Sequence, residues 1–593
     1  MSNFQNEYQR WIENADAETK AELIALGDDE IHDRFYQTLE FGTGGLRGVI
    51  GAGINRINIY TVGQATQGLA NQLVKALRTS NPPCPPLIPE QVRERGRLRV
   101  AIAYDSRNMS QVFAEKAAAV LAANNIKVYL FDGLRPTPEL SFAVKYKKCD
   151  AGIVITASHN PAKYNGYKVY GADGSQITPE VADIILSEIN KTDIFCGVKQ
   201  MDFEIAKSRG LIKIIGEEVD GEYIKCVKEQ SVNLSLALEK GGDYKLVYTP
   251  LHGSGNLPVR RVLSEIGFTN IIIVTEQELP DGYFSTVKSP NPEDKAALDL
   301  AVEYARKYNA DLIIGTDPDC DRVGIAVKNN FGEYVTMTGN QVGVLLTEYI
   351  ASQSKNKNKN KNKFKFKNGV IVKTIVTTDM VRGICGKYGL EVEEVLTGFK
   401  FIGEKIMEFE QNKNNQNKSF VFGFEESYGY LKGTYARDKD AVVACMLIAE
   451  MALYYQTRGL TLFEQMQKLY EEYGYYKEDL VSVTMEGAAG IENIKKIMEN
   501  MREFTPEKIG GLKVLAVRDY KISQRKDVVS GEICEILLPK SDVLYFELEG
   551  GNNFIARPSG TEPKIKFYLM CRGESQEEAA ERVEKLRGFV DGI

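Results

Sequence analysis

Three aspartates alternating across GTDPDCDRVG (315–324) are the strongest chemical signal in this 593-residue chain. Asp317, Asp319 and Asp321 lie between two apolar, strand-like runs, Asp311–Gly315 and Val323–Val327. In an extended loop alternate side chains face one side, so the three carboxylates would converge. Converging negative charges repel one another unless a cation neutralises them. All-oxygen donors with open positions suit Mg²⁺ better than zinc or copper. A solvated acidic turn would have the same composition, but apolar flanks on both sides argue for burial. The twelve-residue EF-hand pattern is missing its terminal glutamate.

A second loop, in ITASHNPAKYNGYKVYGADGSQIT (155–178), follows the apolar run Ala151–Ile155. Pro161 stops it from continuing as a central strand. Ser158 is thereby left at the carboxyl end of a buried strand, where open α/β sheets place ligands. A serine hydroxyl is a weak nucleophile without a base or a neighbouring cation, and His159 and Lys168 are within local reach. In FVFGFEESYGYLKGTYARDKDAV (420–442) a strand-like start leads into Glu425, Glu426 and Ser427. Such side chains can pair with sugar hydroxyls, although a helix cap would read alike. In NNFIARPSGTEPKIKFY (552–568) the strand Asn553–Ala556 delivers Arg557, Ser559, Gly560 and Thr561 into a tight turn. A guanidinium, two hydroxyls and a free glycine N–H make a phosphate cradle; an ordinary Pro-Ser-Gly turn is the alternative.

The elements that must position these loops read as alternating strands and helices. Strands are expected at Arg97–Ala103, Lys127–Phe131, Gly152–Thr156, Lys245–Tyr248, Ile271–Val274, Leu312–Gly315, Gly369–Lys373, Glu391–Val395 and Phe420–Phe424. Helical stretches such as Gln111–Asn124, Val259–Ile266, Lys295–Tyr308 and Gly339–Ser352 separate several of them, the pattern of α/β domains with mostly parallel sheets. Residues 1–40 read as helices, and after about residue 475 the texture becomes that of a mixed sheet closed by a helix at Glu577–Phe589, a separate α+β domain. NPPCPPLIPE (81–90) reads as an extended connection. The seven lysines alternating from 355 to 367 read as a solvated surface loop in preference to a polyanion-binding arm.

Length calls for three to five domains. A net charge of −7 argues against nucleic acid as the main partner without excluding a small anionic substrate. Nine scattered cysteines with no CxxC pair read as reduced thiols of a cytoplasmic protein. No run of about 18 apolar residues suggests a membrane span.

Taken together, the four loops closely resemble the signature motifs of the α-D-phosphohexomutase superfamily, the phosphoglucomutase/phosphomannomutase family. TASHNP resembles its phosphoserine loop, DPDCDR its metal loop, GFEESYGY its sugar-recognition loop and RPSGTEPK its phosphate-binding loop, in the family's order over roughly residues 40–575. A haloacid-dehalogenase-type phosphatase loop is a rival for the aspartates, but would carry Thr or Val where Asp321 stands. The resemblance implies three similar α/β domains with mixed, mainly parallel sheets and a C-terminal α+β domain around a central cleft, at 1–210, 211–330, 331–470 and 471–593. It implies an isomerase interconverting glucose 1-phosphate and glucose 6-phosphate through a phosphoserine and a glucose 1,6-bisphosphate intermediate, which would also serve as activator. Phosphopentomutase or phosphomannomutase activity, or a phosphosugar phosphatase, are the alternatives.

By position, the resemblance makes Ser158 the phosphorylated residue and a fourth metal ligand beside Asp317, Asp319 and Asp321, which would hold Mg²⁺. Lys168 becomes the general acid/base, a buried lysine whose pKa neighbouring cations would lower. Arg47 and His159 would approach the active site, Arg322 would face the phosphate, and Lys400, Glu425 and Ser427 would meet the sugar. Arg557, Ser559, Gly560 and Thr561 would clamp the phosphate not being transferred. Lys564 and Lys566 stand where relatives often carry an arginine, which keeps the charge but not the bidentate fork. The expected partner is a small phosphosugar, with no nucleic acid or membrane, bound by a monomer or homodimer.

Overall fold

Apolar runs of five or six residues set between amphipathic stretches are best satisfied as strands covered on both faces by helices. The computed structural model bears this out three times over; it describes residues 3–42, 44–78, 97–356, 368–412, 417–485, 487–559 and 564–593. These fall into two units, one of Met1–Gly339, Ile402–Gln416 and Ser427–Gly459, the other of Asn340–Phe401, Asn417–Glu426 and Leu460–Ile593. The proline-rich stretch 81–90 and the lysines at 357–367 lie outside the described residues. Among the described residues no helix is long and apolar enough to cross a membrane.

The first unit opens with helices Asn3–Asn14, Ala17–Ile24 and Asp28–Phe35. Trp11 is fully buried among them, edge-on to Phe35, Tyr60 and Phe195. The first sheet follows: β1 (Phe41–Gly42), β2 (Gly45–Val49), β3 (Arg99–Tyr104), β4 (Lys127–Phe131), β5 (Ala151–Ile155), β6 (Tyr164–Gly171) and β7 (Ile212–Ile215), in the order β1-β2-β6-β5-β3-β4-β7. Helices Ser110–Ala123 and Thr137–Tyr146 cross over between parallel strands β3, β4 and β5. Loop 156–163 is too short for a crossover, so β6 returns antiparallel beside β5. Val100, Ile102, Ile153 and Ile155 pack with Phe113, Ala117 and Leu121 in one core cluster.

The second sheet repeats this plan. Its strands are β8 (Leu246–Thr249), β9 (Ile271–Ile273), β10 (Leu312–Thr316), β11 (Val323–Lys328) and β12 (Tyr334–Met337), in the order β12-β11-β10-β8-β9. β8, β9 and β10 are parallel, and β11 turns back beside β10 after the aspartate loop. In both sheets the first α/β strand is flanked by the next two, and the last of the three ends in the hairpin that carries the chemistry.

In the second unit β13 (Gly369–Thr374), β14 (Glu391–Val395) and β15 (Ser419–Glu425) are parallel with the first strand again in the middle; β16 (Gly429–Lys432) belongs to the first unit. The terminal strands are β17 (Tyr475–Thr484), β18 (Lys508–Ile509), β19 (Leu512–Asp519), β20 (Gln524–Asp527), β21 (Ile533–Glu535), β22 (Leu544–Leu548), β23 (Asn552–Pro558) and β24 (Lys564–Gly573). They run β17-β24-β23-β22-β19-β20-β21, with β18 on β19. Every one of these pairs is antiparallel, where the sequence suggests a mixed sheet; the short links β18–β19, β19–β20, β20–β21, β22–β23 and β23–β24 leave no length for a parallel crossover. Helix Gln576–Val590 packs its buried Val583 and Leu586 into the core of this sheet.

The third and fourth sheets are tied within the second unit by an ion network. Lys373, its side chain fully buried, lies 2.9 Å from Glu394 and 3.1 Å from Asp379. Glu394 also meets Arg382 at 2.6 Å and Arg518 at 3.5 Å, and Arg518 reaches Glu547 at 2.6 Å. Burial alone would raise the Glu394 carboxyl, but Lys373, Arg382 and Arg518 bring it down to about 2. The folded value is below the unfolded one, so its contribution is fully present above about pH 5 and fades as pH falls toward 2. Glu394→Gln is expected to destabilise the protein by about 3 kcal/mol at neutral pH. Urea midpoints should show that difference shrinking between about pH 5 and pH 3; a pH-independent difference would contradict the account.

Candidate active site

The serine loop owes its shape to the hairpin between β5 and β6. Ser158 ends up 3% exposed and in the left-handed region, φ 52°. Its N–H donates to Thr156 Oγ1 at 2.7 Å, and Thr156 Oγ1 donates to Asp105 Oδ2 at 2.6 Å. The hydroxyl donates to Asp317 Oδ2 at 2.8 Å and lies 3.1 Å from His159 Nδ1. Serine and aspartate loops, 159 residues apart in sequence, therefore meet at one oxygen.

Asp317, Asp319 and Asp321 are 0–2% exposed, and a carboxylate oxygen from each lies within 4.8 Å of the others. They do not converge by extended alternation. The loop is a turn, closed by Cys320 N–H to Asp317 O at 2.9 Å with Cys320 left-handed at φ 52°. A turn brings the carboxylates closer than a strand could. Asp317 Oδ1 accepts from the Asp321 and Arg322 amides at 3.1 and 2.9 Å. Asp319 Oδ2 accepts from Lys168 Nζ at 2.8 Å and Thr137 Oγ1 at 2.9 Å. Asp321 Oδ2 faces Lys439 Nζ at 3.1 Å and Lys168 at 3.6 Å. Asp319 Oδ1 and Asp321 Oδ1 are buried with no hydrogen-bond donor. Buried anionic oxygens without donors are what a divalent cation would satisfy, so this donor set fits Mg²⁺.

The electrostatics agree. Burial and the charges of Asp319 and Asp321 push Asp317 well above the usual carboxylate range. Burial would raise Asp319 too, but Lys168, with hydrogen bonds from Asp317, Lys168 and Thr137, holds it far below that range. Lys168 moves opposite to the sequence expectation: burial would lower it, but Asp319 and Asp321 raise it. A lysine between two carboxylates keeps its proton, and a cation among those carboxylates would oppose that field. Burial, then the charges of Arg322 and Arg47, hold the His159 imidazole well below its usual range, so it is neutral near pH 7.

Arg47 stands on β2 opposite Gly166 of β6, within electrostatic reach of His159. Arg322 pairs with Glu293 and lies 3.8 Å from Asp321. Ser427 precedes Tyr428, whose carbonyl accepts from Val323 N–H at 3.1 Å, so it adjoins the exit of the aspartate loop. The second unit gathers its own set: Glu425 Oε1 accepts from Gly398 N–H at 3.0 Å, two residues before Lys400. Burial raises the Tyr568 phenol and Glu426 and Glu425 add to it, while Arg557, hydrogen-bonded to it, opposes. Ser559 N–H donates to Lys564 O at 2.7 Å; Gly560 and Thr561 lie outside the described residues.

Three residues of this constellation escape sequence reasoning. Lys439 neutralises Asp321, and Asp438, which accepts from Tyr170 at 2.7 Å, sits 3.2 Å from Lys439 Nζ. The signal was the charged run ARDKD directly before the apolar helix Ala441–Gln456. Thr137 clasps Asp319 by side chain and by N–H to Asp319 O at 2.9 Å; its signal, a Pro-Thr-Pro helix start, reads as a cap.

Family models for phosphoglucomutase/phosphomannomutase match in order: alpha/beta/alpha domain I over residues 87–194, domain II over 221–332 and domain III over 338–473. A phosphoglucomutase of Staphylococcus aureus (strain MSSA476) is 36% identical over 97% of this chain and 97% of its own. One from Staphylococcus epidermidis is 36% identical over 91% of this chain and 92% of its own. Among solved structures, the open form of parafusin, a phosphoglucomutase from Paramecium, shares the fold with a TM-score of 0.66 at 16% identity, covering 94% of this chain and 95% of that one. A phosphoglucomutase/phosphomannomutase family protein from Burkholderia thailandensis gives 0.61 at 16%, covering 93% and 97%. With three successive domain models in register and relatives aligned along nearly their full length, the chain belongs to the phosphoglucomutase/phosphomannomutase family.

Proposed function

We propose that the chain is a magnesium-dependent phosphoglucomutase, interconverting glucose 1-phosphate and glucose 6-phosphate with Ser158 as the phosphoryl carrier. The observation that carries this reading is the Ser158 hydroxyl 2.8 Å from the buried aspartate cluster. Phosphoryl transfer is catalysed mainly by alignment and charge neutralisation. Asp317, Asp319, Asp321 and Ser158 would hold Mg²⁺, which when bound supplies Lewis-acid stabilisation of phosphoryl oxygens. Phosphorylated Ser158 gives its phosphoryl group to the free hydroxyl of the sugar monophosphate; the P–Oγ bond breaks as the new P–O bond forms. Lys168 is the group we assign to exchange the hydroxyl proton. The resulting glucose 1,6-bisphosphate turns over and returns its other phosphoryl group to Ser158.

Arg47, His159 and Arg322 would surround the phosphate on Ser158, while Lys400, Glu425 and Ser427 would take the sugar hydroxyls. Arg557, Ser559, Gly560 and Thr561 would clamp the second phosphate. One sheet per segment supports four domains at 1–210, 211–330, 331–470 and 471–593, with β7 and β12 extending the first two slightly. Glucose 1,6-bisphosphate would act as activator by restoring phosphate to a bare serine. All cysteines among the described residues are free thiols, which supports a cytoplasmic setting, as monomer or homodimer.

Intact-mass analysis of purified protein is expected to show about +80 Da on the Ser158 peptide, absent in Ser158→Ala. Ser158→Ala and Asp319→Ala should each lower glucose 1-phosphate turnover by at least about 10³-fold. Chelation with EDTA should abolish activity and added Mg²⁺ restore it. In a coupled assay across glucose, mannose and pentose phosphates, dominant pentose activity would overturn the substrate assignment. Stoichiometric release of inorganic phosphate would overturn the mutase itself.

A further inference from the structure

A serine held left-handed in a buried hairpin stores about 1–2 kcal/mol of backbone strain, and its carbonyls must find donors away from water. In this loop the carbonyls of Ser158, His159, Asn160 and Pro161 all accept from side chains. One residue supplies most of the donors. Arg107 Nη2 donates to Ser158 O at 2.5 Å and to Asn160 O. Its Nη1 donates to Pro161 O at 3.1 Å and to Tyr164 O at 3.0 Å. The remaining carbonyl, that of His159, accepts from Ser289 Oγ at 2.6 Å.

Arg107 is itself held by a carboxylate and an aromatic ring. Its side chain is fully buried, Nε lies 3.4 Å from Asp105 Oδ2, and its own N–H donates to Asp105 Oδ1 at 3.0 Å. The guanidinium plane lies 4.9 Å over the ring of Phe284, which is 1% exposed. Asp105 in turn accepts from Thr156, which receives the Ser158 N–H. One carboxylate and one guanidinium thus hold both the amide and the carbonyl of the serine. Phe284 and Ser289 come from the 275–293 segment, whose fold rests on His252: Nδ1 at 3.0 Å from Leu279 O and Nε2 at 2.8 Å from Thr286 Oγ1. Both ring nitrogens are occupied, which makes His252 a brace of this segment.

We propose that Arg107 is the positioning residue of phosphoryl transfer: its planar, four-carbonyl clamp keeps Ser158 in the left-handed turn that aims Oγ at Asp317. This rests on the reading of Ser158 as phosphoryl carrier. The Arg107 donors go to backbone carbonyls while Ser158 Oγ meets Asp317 and His159, so Arg107 acts through the backbone. Lysine cannot replace it, because an ammonium has three donors and lacks the fixed fork that serves four carbonyls. Without the clamp the turn relaxes and Oγ swings off line, and a displacement of about 1 Å costs roughly 10²-fold in rate.

The test uses the full-length enzyme with Mg²⁺ and glucose 1-phosphate. Arg107→Lys is expected to lower kcat about 10²-fold with KM within about threefold, while its thermal midpoint shows a folded protein. Arg107→Ala should regain at least about tenfold in kcat with millimolar guanidinium and nothing with methylammonium, a response that a general loss of stability would not give. Should either variant fail to fold, Phe284→Leu, which removes the stack and leaves the hydrogen bonds, should lower kcat about tenfold at unchanged KM. Wild-type kcat in folded Arg107→Lys, absent guanidinium rescue of folded Arg107→Ala, or unchanged kcat in Phe284→Leu overturns the proposal while leaving the mutase reading intact. Full activity in Ser158→Ala overturns both.

Discussion

Holding three carboxylates out of water within 4.8 Å of one another is the constraint around which the first unit is organised. Such a cluster is unfavourable unless cations and hydrogen-bond donors surround it, and the fold recruits them from separate stretches of chain. Lys168 comes from β6, Lys439 from the segment before helix Ala441–Gln456, and Thr137 from the start of helix Thr137–Tyr146. Two backbone amides of the loop itself cover Asp317. Two buried oxygens are still left over, which is why the site reads as incomplete without a cation.

The scaffold meets this demand by repetition. In each α/β sheet the first of three parallel strands lies between the other two, and the residues of interest follow the third: Ser158 after β5, the aspartates after β10, Glu425 at the end of β15. Burial of the strands fixes where each loop emerges, and loop chemistry is then free to differ. Hairpin return after the third strand gives the serine and aspartate loops short, stiff anchors at both ends, so that side-chain contacts such as those of Arg107 can hold a strained conformation.

Much of this was legible in residue order. The apolar run Lys127–Phe131 and the glutamate-rich Glu391–Val395 are strands with the expected bounds, and the apolar runs around Leu312 and Phe420 extend by only a residue or two. The apolar runs are legible because a strand covered on both faces admits little but apolar side chains. β6 was harder to see: NGYKVYG mixes Gly, Asn and Lys into a strand that carries Lys168 to the site. The aspartates could be seen to converge, but not by what means, since the left-handed Cys320 leaves no compositional trace. Lys439, Thr137 and Arg107 were illegible for a common reason. Each acts on a loop distant in sequence, and only folding brings the two together.

The chain has one tryptophan, and it lies in the opening helices, walled in by Phe35, Tyr60 and Phe195. Its emission is therefore a gauge of how firmly that helical layer is seated, through Tyr60, on the long helix Ile59–Arg78. An optical signal from this indole reports the docking of the amino-terminal layer, and a spectrum that stays flat during a ligand titration says nothing about occupancy of the aspartate cluster.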